Sequence, residues 1–348
     1  MDFLAWAWML ILDRFQAVFN INAPYGPIAL AGALVFTVLF YIDLRHKRGL
    51  SISFAGFFKS IFPARIVWHP SSRLDMRLWI LNTIVFATAY GMLAFGGLMW
   101  RNATVALMNS MFGAHDPLDW PIWAILATAT LFELLAYEFG YWISHYLFHS
   151  IPALWEFHKV HHSAEVLTTL TEMRTHPVEI IFFMNVIGLC TGIVFGAMTY
   201  AFGAGVRPFT LLNANAALML FVVTVGHLRH SHMWIAFTGL AGRLLQSPAH
   251  HQIHHSDQPR HFNKNLGFAL AVWDWLFGTL YVPETYEKIT FGVGADHIQF
   301  ETVLKSFTRP FVYSAEHCAK CAFGLRDRLR PRPAPSVASS AKARASEG

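Results

Sequence analysis

Apolar residues along this 348-residue chain cluster in stretches long enough to cross a lipid bilayer. A membrane-spanning helix needs about 20 residues, or somewhat fewer when it is tilted. Candidate spans lie near residues 26–43, 78–100, 121–144, 178–203 and 209–227. Charged residues make up 14% of the chain, whereas an average soluble protein has about 25%. The pattern therefore predicts an all-α, multi-pass integral membrane bundle of about four to five spans.

The two ends of the chain differ from this pattern. Residues 1–25 lack the basic start of a signal peptide and carry Asp2, Asp13 and Arg14 among aromatic residues. This composition favours an N-terminal helix that lies along the membrane surface. Residues 315–348 are basic and end in a stretch rich in Pro, Ala and Ser, which predicts a disordered tail.

The placement of basic residues predicts the orientation of the chain in the membrane. Of the 26 Lys and Arg residues, seven lie between residues 45 and 77 and fourteen lie after residue 228. Basic loops remain in the cytoplasm, so both regions are expected there, with the loop at 145–177 on the same side. The net charge of +5 could indicate nucleic acid, but this distribution predicts a membrane protein with no nucleic-acid partner.

Two dense groups of histidines follow apolar stretches. The first spans residues 145–162 and the second spans residues 250–255. The spacing is His-x3-His once and His-x2-His-His twice, and offsets of three and four residues place side chains on one face of a helix. Neutral imidazoles that converge in this way are typical of a metal site. The pattern thus predicts a histidine-rich helical cap on the cytoplasmic side of the bundle.

The number of histidines indicates more than one metal ion. A single tetrahedral zinc ion uses three or four ligands, whereas the two groups offer at least eight at suitable spacing. No His-Glu-x-x-His sequence is present, so the zinc-protease interpretation lacks its general base. The three cysteines, Cys190, Cys318 and Cys321, do not form a disulfide framework.

These motifs resemble those of the fatty acid hydroxylase and sterol desaturase superfamily. The resemblance covers residues 120–285 and rests on H145-YLF-H149, H158-KV-HHS, H251-QI-HH and the closing stretches Asn265-Leu-Gly and Trp273-Asp-Trp-Leu-Phe-Gly-Thr279. It implies a membrane di-iron oxygenase that uses two iron ions and O2 to hydroxylate or desaturate a lipid. It also implies an external electron donor, such as a ferredoxin, cytochrome b5 or flavin reductase, because the chain shows no dinucleotide fingerprint.

The resemblance also implies the metal ligands. It assigns eight histidines of the boxes: His145, His149, His158, His161, His162, His251, His254 and His255. A ninth ligand is expected before the last box, and His230 is favoured over His227 by its distance from that box. Residues that either bind metal or support the ligands are His227, His176, His232, His250 and Asp274.

The predicted domain plan divides the chain at the edges of the resemblance. An interfacial helix (1–25), the first spans with a basic cytoplasmic loop (26–119), the catalytic domain (120–285), a C-terminal extension (286–314) and the tail (315–348) follow one another. Hydroxylation is favoured over desaturation. The lipid is left open among fatty acyl, sterol, sphingoid and aminolipid classes. A non-catalytic metal or haem protein, a zinc hydrolase and an inactive member of the superfamily are the competing hypotheses.

Overall fold

The computed structural model describes residues 26–86, 90 and 92–329, together with positions 8, 9, 12, 16 and 20. These residues are mostly helical. The α-helices are α1 (Pro27–Lys47), α2 (Phe54–Ile61), α3 (Ala64–Val67), α4 (Pro70–Ile80), α5 (Gly97–Phe112), α6 (Ile122–Ser150), α7 (Pro152–His162), α8 (Pro177–Phe202), α9 (Ala216–Thr224), α10 (Gly239–Leu244), α11 (Pro248–His254), α12 (Val272–Phe277) and α13 (Val303–Leu329).

Shorter elements connect these helices. A π-helical turn covers Leu81–Val85, and 3₁₀ turns cover Thr169–Met173, Gly226–Leu228, Pro259–His261 and Gly294–Phe300. Strands β1 (Thr210–Leu211) and β2 (Ala214–Asn215) form an antiparallel hairpin in which Thr210 pairs with Asn215.

Three of the described helices are long and apolar enough to cross a membrane: α1, α6 and α8. They confirm the predicted membrane bundle and coincide with three of the five predicted spans. The predicted span at 78–100 is not one helix, because residues 94–96 are not helical and α5 begins only at Gly97. The described part of the chain thus has fewer candidate spans than the sequence predicted.

The predicted span at 209–227 is also corrected. Leu212 and Asn213 both have positive φ, which is the backbone of a tight hairpin turn, so the segment starts as a hairpin. The nine residues of α9 then rise only about 14 Å, less than half of a bilayer core of about 30 Å. Hydropathy alone does not report such a turn, because hydropathy carries no information on backbone angles.

Prolines and glycines set the ends of the two spans that carry the site. Pro152 keeps Ile151 extended, so α6 ends at Ser150 and α7 starts in a new direction. Pro177 occupies the first turn of α8, and Gly203, with φ +87°, ends it. Histidines on α6 and α7 are therefore close in space as well as in sequence.

Glycines on α8 allow the neighbouring helices to approach closely. A Cβ atom at Gly192 would lie 2.6 Å from the carbonyl oxygen of Gly97 on α5. A Cβ at Gly140 on α6 would lie 2.8 Å from the Cα of Ile187 on α8. Small residues at such contacts are typical of membrane helix packing, and they fix α5, α6 and α8 as one unit.

The C-terminal helix α13 packs against α7, the helix that carries the second histidine box. Its Phe311 contacts the rings of Phe157 and His176 at 5.2 Å each. The predicted disordered tail at 315–348 is thus helical up to Leu329, because α13 continues without a break. Its later residues and most of the predicted interfacial helix at 1–25 lie outside the described residues.

Candidate metal centre

Nine histidines converge at one end of α6 and α8, in two adjoining groups. Group A contains His145, His149, His158, His162 and His254, and group B contains His161, His230, His251 and His255. Within each group the candidate ligand atoms all lie within 4.8 Å of one another. The nine are the residues that the resemblance and box spacing assigned, although their role as metal ligands stays a prediction.

The two His-x2-His-His boxes each contribute to both groups. On α7, His158 and His162 belong to group A and His161 belongs to group B. At α11 the division is reversed, because His251 and His255 belong to group B while His254 belongs to group A. Residues four apart on a helix differ by about 40° in direction, whereas adjacent residues differ by about 100°. Each box therefore holds a pair for one site and a single ligand for the other.

The remaining members of the groups come from different elements. His145 and His149 are four residues apart on the last turns of α6 and both enter group A. His230 follows the 3₁₀ turn Gly226–Leu228 and completes group B. The two groups are in direct contact, because the rings of His162 in group A and His255 in group B stack with centroids 4.6 Å apart.

The hydrogen bonds of three group A histidines show which ring nitrogen faces the centre. The Nδ1 atoms of His145 and His254 lie 2.7 and 2.9 Å from backbone carbonyl oxygens. The Nδ1 atom of His158 lies 2.8 Å from a carboxylate oxygen of Glu179. Carbonyl oxygens and an ionised carboxylate only accept, so each Nδ1 then donates, and a neutral ring has a bare lone pair on Nε2. Three lone pairs thus face the same buried space.

Such a donor set fits a metal ion and does not fit a hydrogen-bond network. The Nε2 atoms of His145 and His158 are 3.0 Å apart, yet neither carries a proton to share. The Nε2 of His254 is buried without a hydrogen-bond partner among the described residues. Two nitrogens that bind one ion at right angles, with bonds of about 2.1 Å, lie about 3 Å apart. A cation between the rings therefore explains both the spacing and the missing protons.

Group B has the same spacing. The Nε2 atom of His230 lies 3.1 Å from that of His161 and 2.8 Å from that of His251. The Nε2 atom of His255 lies 3.2 Å from that of His251. Four imidazoles thus face one point in group B and five face one point in group A.

Burial keeps these imidazoles neutral. It lowers the pKa of His161 to about 3 and the pKa of His254 to about 4, from an ordinary value of 6.5. Burial and the neighbouring imidazoles also hold the pKa values of His158 and His251 well below the ordinary value. A neutral imidazole is the form that binds a metal ion, so the site is prepared for metal at neutral pH.

Asp274 supports the ligands through the backbone and does not join either group. Its buried carboxylate accepts five hydrogen bonds, from Leu266 N, Gly267 N, Gln246 Nε2, Thr279 Oγ1 and Trp142 Nε1. These bonds fix the loop at 264–267, whose carbonyls at Lys264 and Leu266 accept from His254 and His145. Asp274 thus orients two candidate ligands indirectly, through the backbone of this loop.

The other predicted supporting histidines have structural contacts. His176 caps α8, because its Nδ1 accepts from Val178 N and its Nε2 donates to Phe307 O. His232 points to Ser60 O on α2, at 2.7 Å. His250 forms a capping box with Ser247 at the start of α11. These three lie outside groups A and B, as does His227, which is buried in the 3₁₀ turn Gly226–Leu228.

Sequence reasoning missed the role of Glu179 and of the loop carbonyls. Glu179 lies in the first turn of α8 and fixes the ring of His158. An acid at the start of a long apolar helix was a signal for it, since the residue must find a partner when buried. No side-chain signal marks the carbonyls of Lys264 and Leu266, because every residue has one.

A cavity of about 590 Å³ adjoins the histidines, and among the residues of the candidate spans only His149, at the end of α6, lines it. Rings of both groups reach its wall, together with Trp155, Lys159, Asp257 and Asp296. The ammonium of Lys159 is held by Glu156 at 2.9 Å and by Asp296 at 3.2 Å. The cavity thus reaches the candidate metal sites, and its lining includes both apolar and charged side chains.

Comparison with known proteins identifies the region that carries the site. A model of the fatty acid hydroxylase family matches residues 130–279. These residues include all nine histidines of groups A and B, as well as Glu179 and Asp274. The resemblance predicted from the histidine boxes is thus confirmed.

Individual relatives share about half of this chain. An ornithine lipid hydroxylase of Rhizobium tropici is 29% identical over 55% of this chain and 52% of its own length. An alkylglycerol monooxygenase of Xenopus tropicalis is 27% identical over 53% of this chain and 35% of its own. Human cholesterol 25-hydroxylase is 27% identical over 47% of this chain and 55% of its own. The matches span about half the length of these relatives or less, and no solved structure matches the chain significantly.

Proposed function

We propose that this chain is a membrane-bound di-iron oxygenase that hydroxylates a C–H bond of a membrane lipid. The match of residues 130–279 to the fatty acid hydroxylase family supports this proposal. The observation that carries the proposal is the pair of adjoining imidazole groups whose Nε2 atoms converge at about 3 Å. Relatives that act on ornithine lipids, alkylglycerols and cholesterol support a lipid substrate.

The proposed reaction consumes dioxygen, two electrons and two protons, and yields an alcohol and water. Two iron ions, one in each histidine group, would supply the activation of dioxygen when bound. The electrons would come from a separate carrier, for which a ferredoxin, cytochrome b5 or a flavin reductase are the candidates.

The residues of this chain would hold and shield that centre. Imidazoles kept neutral by burial bind the ions, and Glu179 and the loop carbonyls hold the rings of three ligands in place. Phe183 and Tyr141 lie against His145 on the membrane side and exclude water from group A there. The 590 Å³ cavity leaves room for the lipid carbon and dioxygen beside the histidines.

Hydroxylation is preferred to desaturation because the matched relatives are named as hydroxylases and monooxygenases. Desaturation on the same scaffold is the alternative, since removal of a second hydrogen in place of oxygen transfer gives a double bond. We also propose that the histidine groups face the cytoplasm. The basic loops that flank the spans support this orientation.

Metal analysis and lipid mass spectrometry test the proposal together. We expect two iron ions per chain in the purified protein and lipids that gain one oxygen in cells that express it. His161→Ala in group B and His254→Ala in group A should each abolish the product and lower the metal content. One zinc ion per chain without a dioxygen-dependent product would refute the oxygenase, and a loss of two hydrogens would identify a desaturase.

A further inference from the structure

Two short helices outside the three candidate spans, α10 and α12, expose an apolar surface. The exposed residues are Leu240, Leu244, Leu245, Trp275, Leu276 and Phe277. Leu240 is 69% exposed and Leu276 is 66% exposed. Neither helix exceeds six residues, so neither is a span.

Backbone hydrogen bonds join the two helices into one unit. The amide of Ala271, just before α12, donates to the carbonyl of Leu244 at 2.9 Å. The amide of Gln246 donates to the carbonyl of Ala269, also at 2.9 Å. The exposed side chains therefore belong to one paired unit, and we call this set of side chains the apolar ledge.

The position of the apolar ledge follows from its contact with α6. Trp142 comes 20 residues after Ile122, the start of this span, and thus lies about 30 Å along it. That rise equals the thickness of the hydrocarbon core of a bilayer. Phe277 of the ledge stacks on Trp142 with ring centroids 4.4 Å apart, and Tyr146 stacks on the same indole at 5.3 Å. The ledge therefore lies at the height where aromatic residues mark the membrane surface.

The charges around the ledge match an anionic lipid surface. Asp274 is the only acidic residue in α10 and α12, and it is fully buried. Arg243 is exposed beside the leucines, and Lys264 reaches the carbonyl of Gly278 at the end of α12. Apolar side chains flanked by cations are typical of helices that lie in the headgroup region.

We propose that the apolar ledge is inserted into the boundary between headgroups and acyl chains of the membrane that α6 crosses. Leu240 and Leu276 then lie among the acyl chains, and Arg243 lies among anionic headgroups. Asp274 lies on the side of α12 opposite Leu276 and holds the loop that orients His145 and His254. The six residues of α12 span only about 9 Å, so the ledge fixes the height of the candidate metal centre relative to the lipid.

Spin-label accessibility in vesicles tests the proposal without any requirement for activity. In a background with Cys190→Ser, Cys318→Ser and Cys321→Ser, a nitroxide is attached through Leu240→Cys, Leu276→Cys or Leu304→Cys in turn. The full chain is reconstituted in phosphatidylcholine vesicles that contain phosphatidylglycerol. Leu304 is the matched control, because it is a leucine that is 72% exposed beside the Lys305–Glu301 ion pair.

Labels at Leu240 and Leu276 should be shielded from a water-soluble nickel relaxant and accessible to dissolved oxygen, and the label at Leu304 should show the reverse. Nickel accessibility at Leu240 and Leu276 equal to that at Leu304 would overturn the proposal. Shielding from both relaxants, with dipolar broadening between labels, would also overturn it, because a second copy of the chain would then cover the ledge.

Discussion

Removal of the Asp274 carboxylate should weaken metal binding at a distance. In Asp274→Ala, five buried donors lose this acceptor. Trp142 Nε1 keeps Thr279 Oγ1 at 3.3 Å, and the other four donors include the backbone amides of Leu266 and Gly267. Each unsatisfied buried donor costs about 1–3 kcal/mol, and relaxation limits the total for a broken buried network to about 3–5 kcal/mol. The unfolding midpoint of the metal-free protein should fall by about 10 °C, at about 2–4 °C per kcal/mol.

The loop carbonyls of Lys264 and Leu266 lose their fixed position in the same variant. Because they orient His254 and His145, the affinity of group A for metal should fall about 10- to 100-fold. Asp274→Asn should be milder, at about 1–3 kcal/mol. Gln246 has an Oε1 atom without a partner among the described residues, so its amide can rotate and accept from the new amide. One backbone donor then stays unsatisfied.

Two measurements check this reasoning: thermal unfolding of the metal-free protein in detergent, and competition of the iron-loaded protein with a chelator. Asp43→Ala is the control, because Asp43 is an exposed acid in an ion pair with Lys47 and should change stability by less than about 0.5 kcal/mol. An Asp274→Ala protein that is destabilised but binds iron as tightly as the parent would refute the link from Asp274 to the ligands.

Three further predictions follow from single sites. His230→Ala should reduce the metal content to the amount held by group A. His232→Ala should retain the full metal content, because His232 contacts α2. Elemental analysis of both variants tests this difference. Gly196→Ala should destabilise the protein by about 1–3 kcal/mol, because the new Cβ would lie 2.5 Å from Thr104 Cβ. Gly205→Ala is the control: a Cβ at Gly205 has no neighbour within 4 Å, so the unfolding midpoint should not change. Burial lowers the pKa of His176 to about 4, from an ordinary value of 6.5. As the pH drops, this histidine is therefore protonated in the unfolded chain before it is protonated in the folded protein, and the free energy of unfolding decreases below pH 6.5. Between pH 7 and pH 5 the parent should lose about 2 kcal/mol more than His176→Asn, which keeps a capping side chain; equal losses in denaturant titrations would contradict this pKa.

The sequence was sufficient for the features that depend on local geometry. Offsets of three and four residues place His158, His161 and His162 on neighbouring faces of α7, because a helix turns by about 100° per residue whatever surrounds it. The apolar runs of α6 and α8 likewise identify membrane helices by length and composition. The turn at Leu212 and Asn213 was not predicted from the sequence, because it depends on backbone angles that hydropathy does not report.

The sequence by itself thus determined that this chain is a helical membrane protein with three histidine boxes suited to metal. Only the tertiary structure decided how the boxes divide between groups A and B and which of the three histidines at 227–232 joins them. It also decided which nitrogen of each ring faces the centre, since His145 meets the Leu266 carbonyl across 121 residues of chain. Such contacts form between backbone groups that every residue carries, so their partners are set by packing and not by residue type.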